Sequence, residues 1–350
     1  MKYEIEFYKI DVENSQFVFL GSTTSYKSLT FANRLNDIGA ASFSLNLLDP
    51  TCNTRLIKRF TNQVVIKKGN SVQFVGPIID YSGTYDDNGG YLDVFCASYL
   101  YHLTTRYTAA LKTYTATEQS TIAWDLIDTV QSRTNGYLGI EEGTLTTTGV
   151  TRDRTYEYFK VAGALINLSN VLQGLDFNFT ATLDGDNKLE SIKFNTFFPL
   201  GSLRTNLPPL TIGENIKLKT FKSRTRLHNS IIGVGSGVLE SLTSTTESTP
   251  FQKAFTRREY ILDEPDISIQ ETLDDKVAAY LNQESSDKLS IIIRLYQDKV
   301  PTLGQVFCGD SLKLNIEKGD FLAINRDYRI TGIEVTIDNN DAETITLLFD

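Results

Sequence analysis

Alternation with a period of two runs through much of this chain, and it restricts those segments to half-buried strands. In Phe31 to Pro50, FANRLNDIGAASFSLNLLDP, Phe43, Leu45 and Leu47 take turns with Ser42, Ser44 and Asn46. An extended backbone therefore carries one apolar and one polar face. Asp49-Pro50 ends the run, because proline has no N–H for the ladder. Val64 and Ile66 lead into a turn at Lys68-Gly69-Asn70, and Val72 and Phe74 follow until Gly76-Pro77, where an interruption is expected. A second hairpin goes out to Tyr85, turns through Asp86-Asp87-Asn88-Gly89-Gly90 and returns with Leu92, Val94 and Cys96 alternating against Tyr91, Asp93 and Phe95. These spacings predict an antiparallel sheet, closed or nearly closed.

The period changes after Arg106. Gln119 to Arg133 places Ile122, Leu126, Ile127 and Val130 on one helical face, with Ser120 or Thr121 available as N-cap. Val161 to Gln173 does the same with Val161, Leu165, Leu168 and Leu172 before Gly174. Between them a Gly- and Thr-rich loop is expected from Gly143 to Asp153, and after them a hairpin over Phe177 to Leu183 and Leu189 to Thr196. This reads as a small α+β domain. Leu207-Pro208-Pro209-Leu210 reads as the linker out of it. Strands then return, with one helix near Glu271 to Gln283 burying Leu273, Val277 and Leu281. Leu239 to Pro250, rich in Ser and Thr and without periodicity, is expected to be an exposed loop.

Composition narrows the function classes. A chain of 350 residues with 41% hydrophobic and 22% charged residues can fill more than one core. The net charge of -9 argues against a protein that grips nucleic acid by neutralising phosphates. Cys52, Cys96 and Cys308 are too far apart for a CxxC metal site, and an odd number does not suit a disulfide framework. They read as small buried hydrophobes. No stretch approaches the roughly 20 apolar residues of a membrane helix, and MKYEIEFYKI reads as a strand and not a signal peptide. The chain is expected to be whole as it stands.

The two strand-rich ends echo one another. VVIKKGNSVQFVGPI (Val64 to Ile78) and FLAINRDYRITGI (Phe321 to Ile333) both read as strand, polar turn, strand, then Gly and Ile. A long strand, an acidic turn and a return strand follow each, the turns being Asp86-Asp87-Asn88 and Asp338-Asn339-Asn340-Asp341. Five elements in shared order point to duplication. The expected fold is mainly β with an α+β insert: two related antiparallel β-barrel domains, residues 1–105 and 210–350, flanking a small α+β domain at 106–209.

With those residues in view, the chain resembles the central baseplate or tail-tip hub of tailed bacteriophages, a family related to the hub of contractile injection systems. Phe31 to Pro50 with its hairpins, and SYLYHLTTR (Ser98 to Arg106), resemble the first barrel and the exit from it. Leu273 to Leu281 leading to Cys308-Gly309-Asp310-Ser311-Leu312, and the closing Arg329 to Phe349 hairpin, resemble the second barrel. Together these pieces cover about half the chain. Gly39, Asp49, Pro50, Gly76, Arg106, Gly309 and Asp310 are the positions that carry this signature. The resemblance implies a structural virion protein at the distal end of a tail, assembled in the bacterial cytoplasm as a homotrimer. It would adapt the hexameric tail tube to a threefold tip and line the channel for tape-measure protein and DNA. Implied partners are the distal tail protein and tube ring, the tape-measure protein, and tail-tip spike or fibre proteins on separate chains. No cofactor, specific nucleic-acid binding or membrane insertion is implied.

Catalytic readings have little to stand on. His102 and His228 are the two histidines, and GxSxG, HExxH and Walker-type runs are absent from the sequence. Gly233-Val234-Gly235-Ser236-Gly237 lacks the following helix and Lys-Ser/Thr of a phosphate loop. Glu141-Glu142, Asp274-Asp275 and Asp86-Asp87 sit at neighbouring positions, which usually point apart. The basic run Lys217, Lys219, Lys222, Arg224 and Arg226 is the candidate contact for an acidic partner, beside its alternative as a solvated strand face. A receptor- or carbohydrate-binding adhesin is the second functional expectation, and a glycan or cell-wall hydrolase the third.

Overall fold

The computed structural model describes residues 2–86, 89–223, 228–236, 242–264, 267, 269–284, 289–319 and 322–349. The N-terminal part contains β1 (Tyr3–Asp11), β2 (Gln16–Thr23), β3 (Ser28–Arg34), β4 (Ala40–Asn46), β5 (Asn62–Lys68), β6 (Ser71–Asp86) and β7 (Gly89–Ala97), closed off by a 3-10 helix at Tyr99–Thr105. All pairings among these strands are antiparallel. Tyr3, Phe7, Phe31 and Phe43 meet across the interior, Tyr3 on Phe31 at 5.9 Å and Phe7 on Phe43 at 6.1 Å between ring centroids. Among the described residues the backbone ladder does not close, since the strand path runs open from one end to the other. Packing of the two walls completes an enclosure expected to be closed or nearly closed.

Gly76-Pro77 does not interrupt its strand. β6 is continuous for 16 residues and changes partner there, pairing with β5 up to Pro77 and with β7 from Ile78 onward. A Cβ on Gly76 would lie 1.8 Å from the Ala97 carbonyl oxygen, so only glycine lets the bend pass under the end of β7.

The middle part consists of β8 (Lys112–Glu118), α1 (Gln119–Gln131), β9 (Ile140–Leu145), β10 (Thr151–Tyr156), α2 (Val161–Ser169), β11 (Asp176–Leu183) and β12 (Leu189–Phe197). Ile122, Leu126, Ile127, Val130, Val161, Leu165 and Leu168 are all buried, as their spacing indicates. Neither Ser120 nor Thr121 caps α1. Strand β8 runs straight into the helix, and the first N–H, of Gln119, bonds to the Val150 carbonyl instead. α2 ends at Ser169, earlier than the apolar spacing suggested, and leaves Leu172 exposed. Much of the expected loop at 143–153 is strand: β9 extends to Leu145 beside β12, and Thr151 onward pairs with β8. Those ladders join distant segments, a signal that local periodicity does not carry.

The C-terminal part comprises β13 (Leu210–Thr211), β14 (Ile216–Ser223), β15 (Ser230–Val234), β16 (Thr243–Glu247), α3 (Thr249–Phe255), β17 (Glu259–Asp263), α4 (Gln270–Glu284), β18 (Leu289–Leu295), β19 (Ser311–Lys318), β20 (Leu322–Ile337) and β21 (Glu343–Phe349). The proline pair at 208–209 leads into β13, whose Leu210 is fully buried. The Ser/Thr-rich segment is not all loop, because Thr243–Glu247 pairs antiparallel with β15 and α3 follows; residues 237–241 lie outside the described residues. β-branched threonines suit that exposed edge. Gly233 lies in β15 under α4, where a Cβ would meet Val277 at 2.3 Å. Its glycine serves helix-on-sheet packing.

The duplication is visible in the topology. β20, also 16 residues, pairs with β19 up to Arg329 and with β21 from Ile330 onward. Each long strand has its bulge at the same place, after Ile78 in β6 and after Ile330 in β20. The flanking orders match as well: β3-β4-β7-β6 in the first copy, β14-β18-β21-β20 in the second.

Candidate assembly interface

The two copies are fused head to tail. β20 of the second pairs antiparallel with β3 of the first, from Gly332 opposite Arg34 to Ile337 opposite Leu29. Within the 13-stranded sheet of the described residues, eight strands thus run as one continuous wall in the order β14-β18-β21-β20-β3-β4-β7-β6. Leu29, Phe31, Val335 and Ile337 are buried along the seam. On the opposite face the strands carry hydroxyls that bond across the seam and its flanks, Thr30 to Thr336 at 3.3 Å and Ser28 to Ser44 at 3.2 Å.

Each end of this eight-strand wall holds a strand that repeats one side of the seam. Counted from the shared bulge, Tyr81, Gly83 and Tyr85 of β6 hold the places of Ile333, Val335 and Ile337. Leu218 and Phe221 of β14 hold the places of Leu29 and Phe31, as their partners in β18 show. Among the described residues the outer half of β6 pairs with β7 alone, and β14 from Lys217 onward with β18 alone, Ile216 also bridging to Ile212. Tyr85 is 80% exposed and Phe221 37%, whereas their seam counterparts Ile337 and Phe31 are buried.

The signature glycines and acids take structural places. Gly39 and Gly76 converge on the exit at Ala97-Ser98: Gly39 N–H donates to Ser98 Oγ at 2.8 Å, and Gly76 lies beneath the Ala97 carbonyl. Asp49 ends the β4 segment by accepting from the Thr51 hydroxyl and N–H, bonds that hold its carboxyl below the usual range, and Pro50 follows. Arg106 ends the 3-10 helix, and its carbonyl accepts the first N–H of α2, that of Val161. Gly309 and Asp310 stand apart from these, at the start of β19. Gly309 has φ +94°, a left-handed value that suits glycine, and buried Asp310 accepts from Ser202 N, Arg204 Nε and Phe307 N at 2.8 to 3.1 Å. Lys217, Lys219 and Lys222 are exposed on edge strand β14. Arg224 and Arg226 lie outside the described residues.

Sequence reasoning missed two polar joints. Asp176 of β11 ties all three parts together: it accepts from Asn36 Nδ2 at 2.6 Å and Leu200 N at 2.7 Å and pairs with Arg329 of β20. Arg329 also donates to the Gly309 and Leu200 carbonyls. The second joint is buried Glu6, held by Lys67 at 3.0 Å, Lys188 at 2.6 Å and the Tyr8 hydroxyl at 2.7 Å. Burial alone would raise the Glu6 carboxyl, but the bonds from Lys188, Tyr8 and Lys67 outweigh it and lower its pKa. One signal was available: in Tyr3 to Tyr8 both faces of β1 are bulky, and the structure buries both.

Three of the carboxylates weighed for acid–base chemistry are engaged elsewhere, and Asp87 lies outside the described residues. Glu141 pairs with Lys193, and Asp275 with Arg152. Asp274 accepts from Gln270. His102 contacts Gln63 Oε1 at 2.9 Å, and burial, helped by nearby Arg106, lowers its pKa to about 4. His228 stacks on Tyr260 with centroids 4.8 Å apart.

No family model matches the sequence, and no curated protein matches it. The structure is similar to that of the tail protein from Neisseria meningitidis MC58, with TM-score 0.64 at 10% identity over 100% of this chain and 96% of that one. It is also similar to the 43 kDa tail protein of prophage MuSo2 from Shewanella oneidensis, with TM-score 0.59 at 10% identity over 99% and 98%. This is a phage tail protein fold. The prophage tail protein gp18 from Listeria monocytogenes EGD-e shares it too, with TM-score 0.55 at 13% identity over 99% and 94%. In this tail protein fold the seam, the two outer strands β6 and β14 and the polar joints span nearly the whole chain, and the likeness covers the same extent.

Proposed function

We propose that this chain is a structural component of a phage tail, the hub at its distal end, and that it works as a threefold ring and not as a catalyst. The observation that carries the reading is the head-to-tail seam. A chain that joins its own two copies through β20 and β3, and in which, among the described residues, the outer half of β6 and β14 from Lys217 onward each pair on one side alone, has what a heterologous, ring-closing contact needs. Pairing β6 of one copy with β14 of the next in the seam's register sets Tyr85 opposite Leu218 and Gly83 opposite Phe221. The glycine leaves room for the ring.

Three copies then form a wall of twenty-four strands. At about 4.8 Å per strand its circumference is at least about 115 Å, so opposite backbones stand on the order of 37 Å apart. That leaves a channel for tape-measure protein and then DNA, lined by the hydroxyl face of Thr30, Ser42, Ser44 and Thr336. Residues 1–105 and 210–350 serve as ring halves, giving six similar seats for a hexameric tube, and residues 106–209 stand outside them. The tube ring, the distal tail protein and the tip spike or fibre are the proposed neighbours. Lys217, Lys219 and Lys222 on β14 keep an isolated edge soluble until a neighbour covers it.

Cysteines introduced as Tyr85→Cys and Leu218→Cys test the joint. Tails assembled from the double variant and mildly oxidised are expected to yield chains linked in threes. Assembled tails in which these cysteines link no neighbouring copies would contradict the pairing.

A further inference from the structure

A cavity of about 50 Å³ lies where β10 and α2 face the start of α4. Arg154, Tyr156, Asn167, Glu264, Thr272 and Lys276 line it. Arg154 is more than nine-tenths buried, yet both of its bonds leave from Nη1, to Thr272 Oγ1 and to the Asp153 carbonyl at 3.1 Å each. Among the described residues no carboxylate is in direct contact with it; Asp275, the partner of neighbouring Arg152, acts on it from farther away. The Tyr156 hydroxyl is buried beside Arg154, and its proton has no acceptor among the described residues. Burial pushes its pKa up to about 12 against the pull of Arg154, so it keeps its proton to donate. The first turn of α4, which also carries Glu271, adds the positive end of a helix dipole.

The carboxylates nearby are already committed. Asp153 accepts from Ala116 N at 2.6 Å, and Glu264 faces Lys276 at 3.5 Å. Among the described residues one buried guanidinium thus has no carboxylate in direct contact, and one buried hydroxyl proton has no acceptor. Water could take the hydroxyl proton but would not neutralise the guanidinium, and the cavity is several times the space one water needs. A buried charge left unpaired is costly, which makes an anion the fitting occupant.

We propose that this cavity binds a small inorganic oxyanion, phosphate or sulfate, held by Arg154, Tyr156 and the start of α4. The anion ties the α+β part to the unit built on α4. This does not rest on the hub reading.

The test is calorimetric titration of the full chain with inorganic phosphate, together with thermal melts in phosphate and in chloride at equal ionic strength. The wild type is expected to release or absorb binding heat and to melt higher in phosphate than in chloride. Tyr156→Phe removes one neutral hydrogen bond and is expected to weaken binding about three- to tenfold, while Arg154→Met abolishes it. If Arg154→Met fails to fold, the comparison of wild type with Tyr156→Phe decides. A wild type whose melt ignores phosphate, or equal responses in wild type and Tyr156→Phe, would overturn the proposal.

Discussion

Phe31 and Val335 face one another across a seam between residues more than three hundred positions apart, and both are buried. The same two places recur at the ends of the sheet as Phe221 and Gly83. An internal contact and a contact between copies can therefore share one geometry, and that relation organises the expectations below.

The seam should matter for stability before any assembly. Phe31→Ala removes a buried ring that also packs on Tyr3, and a loss of about 3 to 5 kcal/mol is expected from the lost burial and the cavity left behind. Denaturant unfolding of the isolated chain measures it. Val335→Ala should cost less, about 1 to 3 kcal/mol, because fewer atoms are removed.

Gly76→Ala should be among the most damaging of small substitutions. The added carbon cannot sit 1.8 Å from a backbone oxygen, so β6 must shift away from the exit at Ala97-Ser98, at a cost of about 3 kcal/mol or more. Gly185→Ala, with nothing within 4 Å of the added carbon, is the matched control and should change stability by no more than about 0.5 kcal/mol. Thermal melts of the two variants side by side give the answer.

Acid should weaken the fold first through His102. Its folded pKa of about 4 lies below the ordinary 6.5, so the unfolded chain binds more protons between those values and stability falls as pH drops through that window. The loss from this residue is at most about 3 kcal/mol. In His102→Gln, urea midpoints measured across that window should be flatter than in the wild type. Glu6 acts in the same direction at lower pH: its folded pKa is depressed, so its contribution is present above the ordinary carboxylate range and is lost as pH falls through it. Glu6→Gln should therefore flatten the acid limb below the His102 window.

Much of the fold was legible because the sheet faces alternate. The runs at Phe43 to Leu47 and Leu92 to Cys96, the helix faces of Ile122 to Val130 and Leu273 to Leu281, and the echo between the two ends are all local patterns with one apolar face. Gly76-Pro77 misled because its turn chemistry is real but serves a partner change within one strand. β9 and β10 escaped notice because Glu141, Glu142, Thr151 and Arg152 earn their strand places from ladders to distant segments. The polar joints were the least readable part. Asp176, Arg329 and Asn36 acquire meaning only when three parts of the chain meet, and no spacing along the sequence encodes that meeting.

Closing the ring should depend on the free edges without disturbing the fold. Tyr85→Lys and Phe221→Lys place charges where the seam has buried apolar side chains, so assembly into tails should fall sharply while the circular dichroism of the isolated chain stays unchanged. Gly83→Trp should block assembly too, by filling the space proposed for Phe221 of the next copy.

An image reconstruction of the intact tail, taken at the level of this chain, tests the central claim most directly. Three copies in one ring are expected, with a continuous wall in which β20–β3 seams alternate with β6–β14 joints between copies around an open channel. Six copies in that ring, or this chain attached at the outer periphery with no surface facing the channel, would contradict the hub assignment.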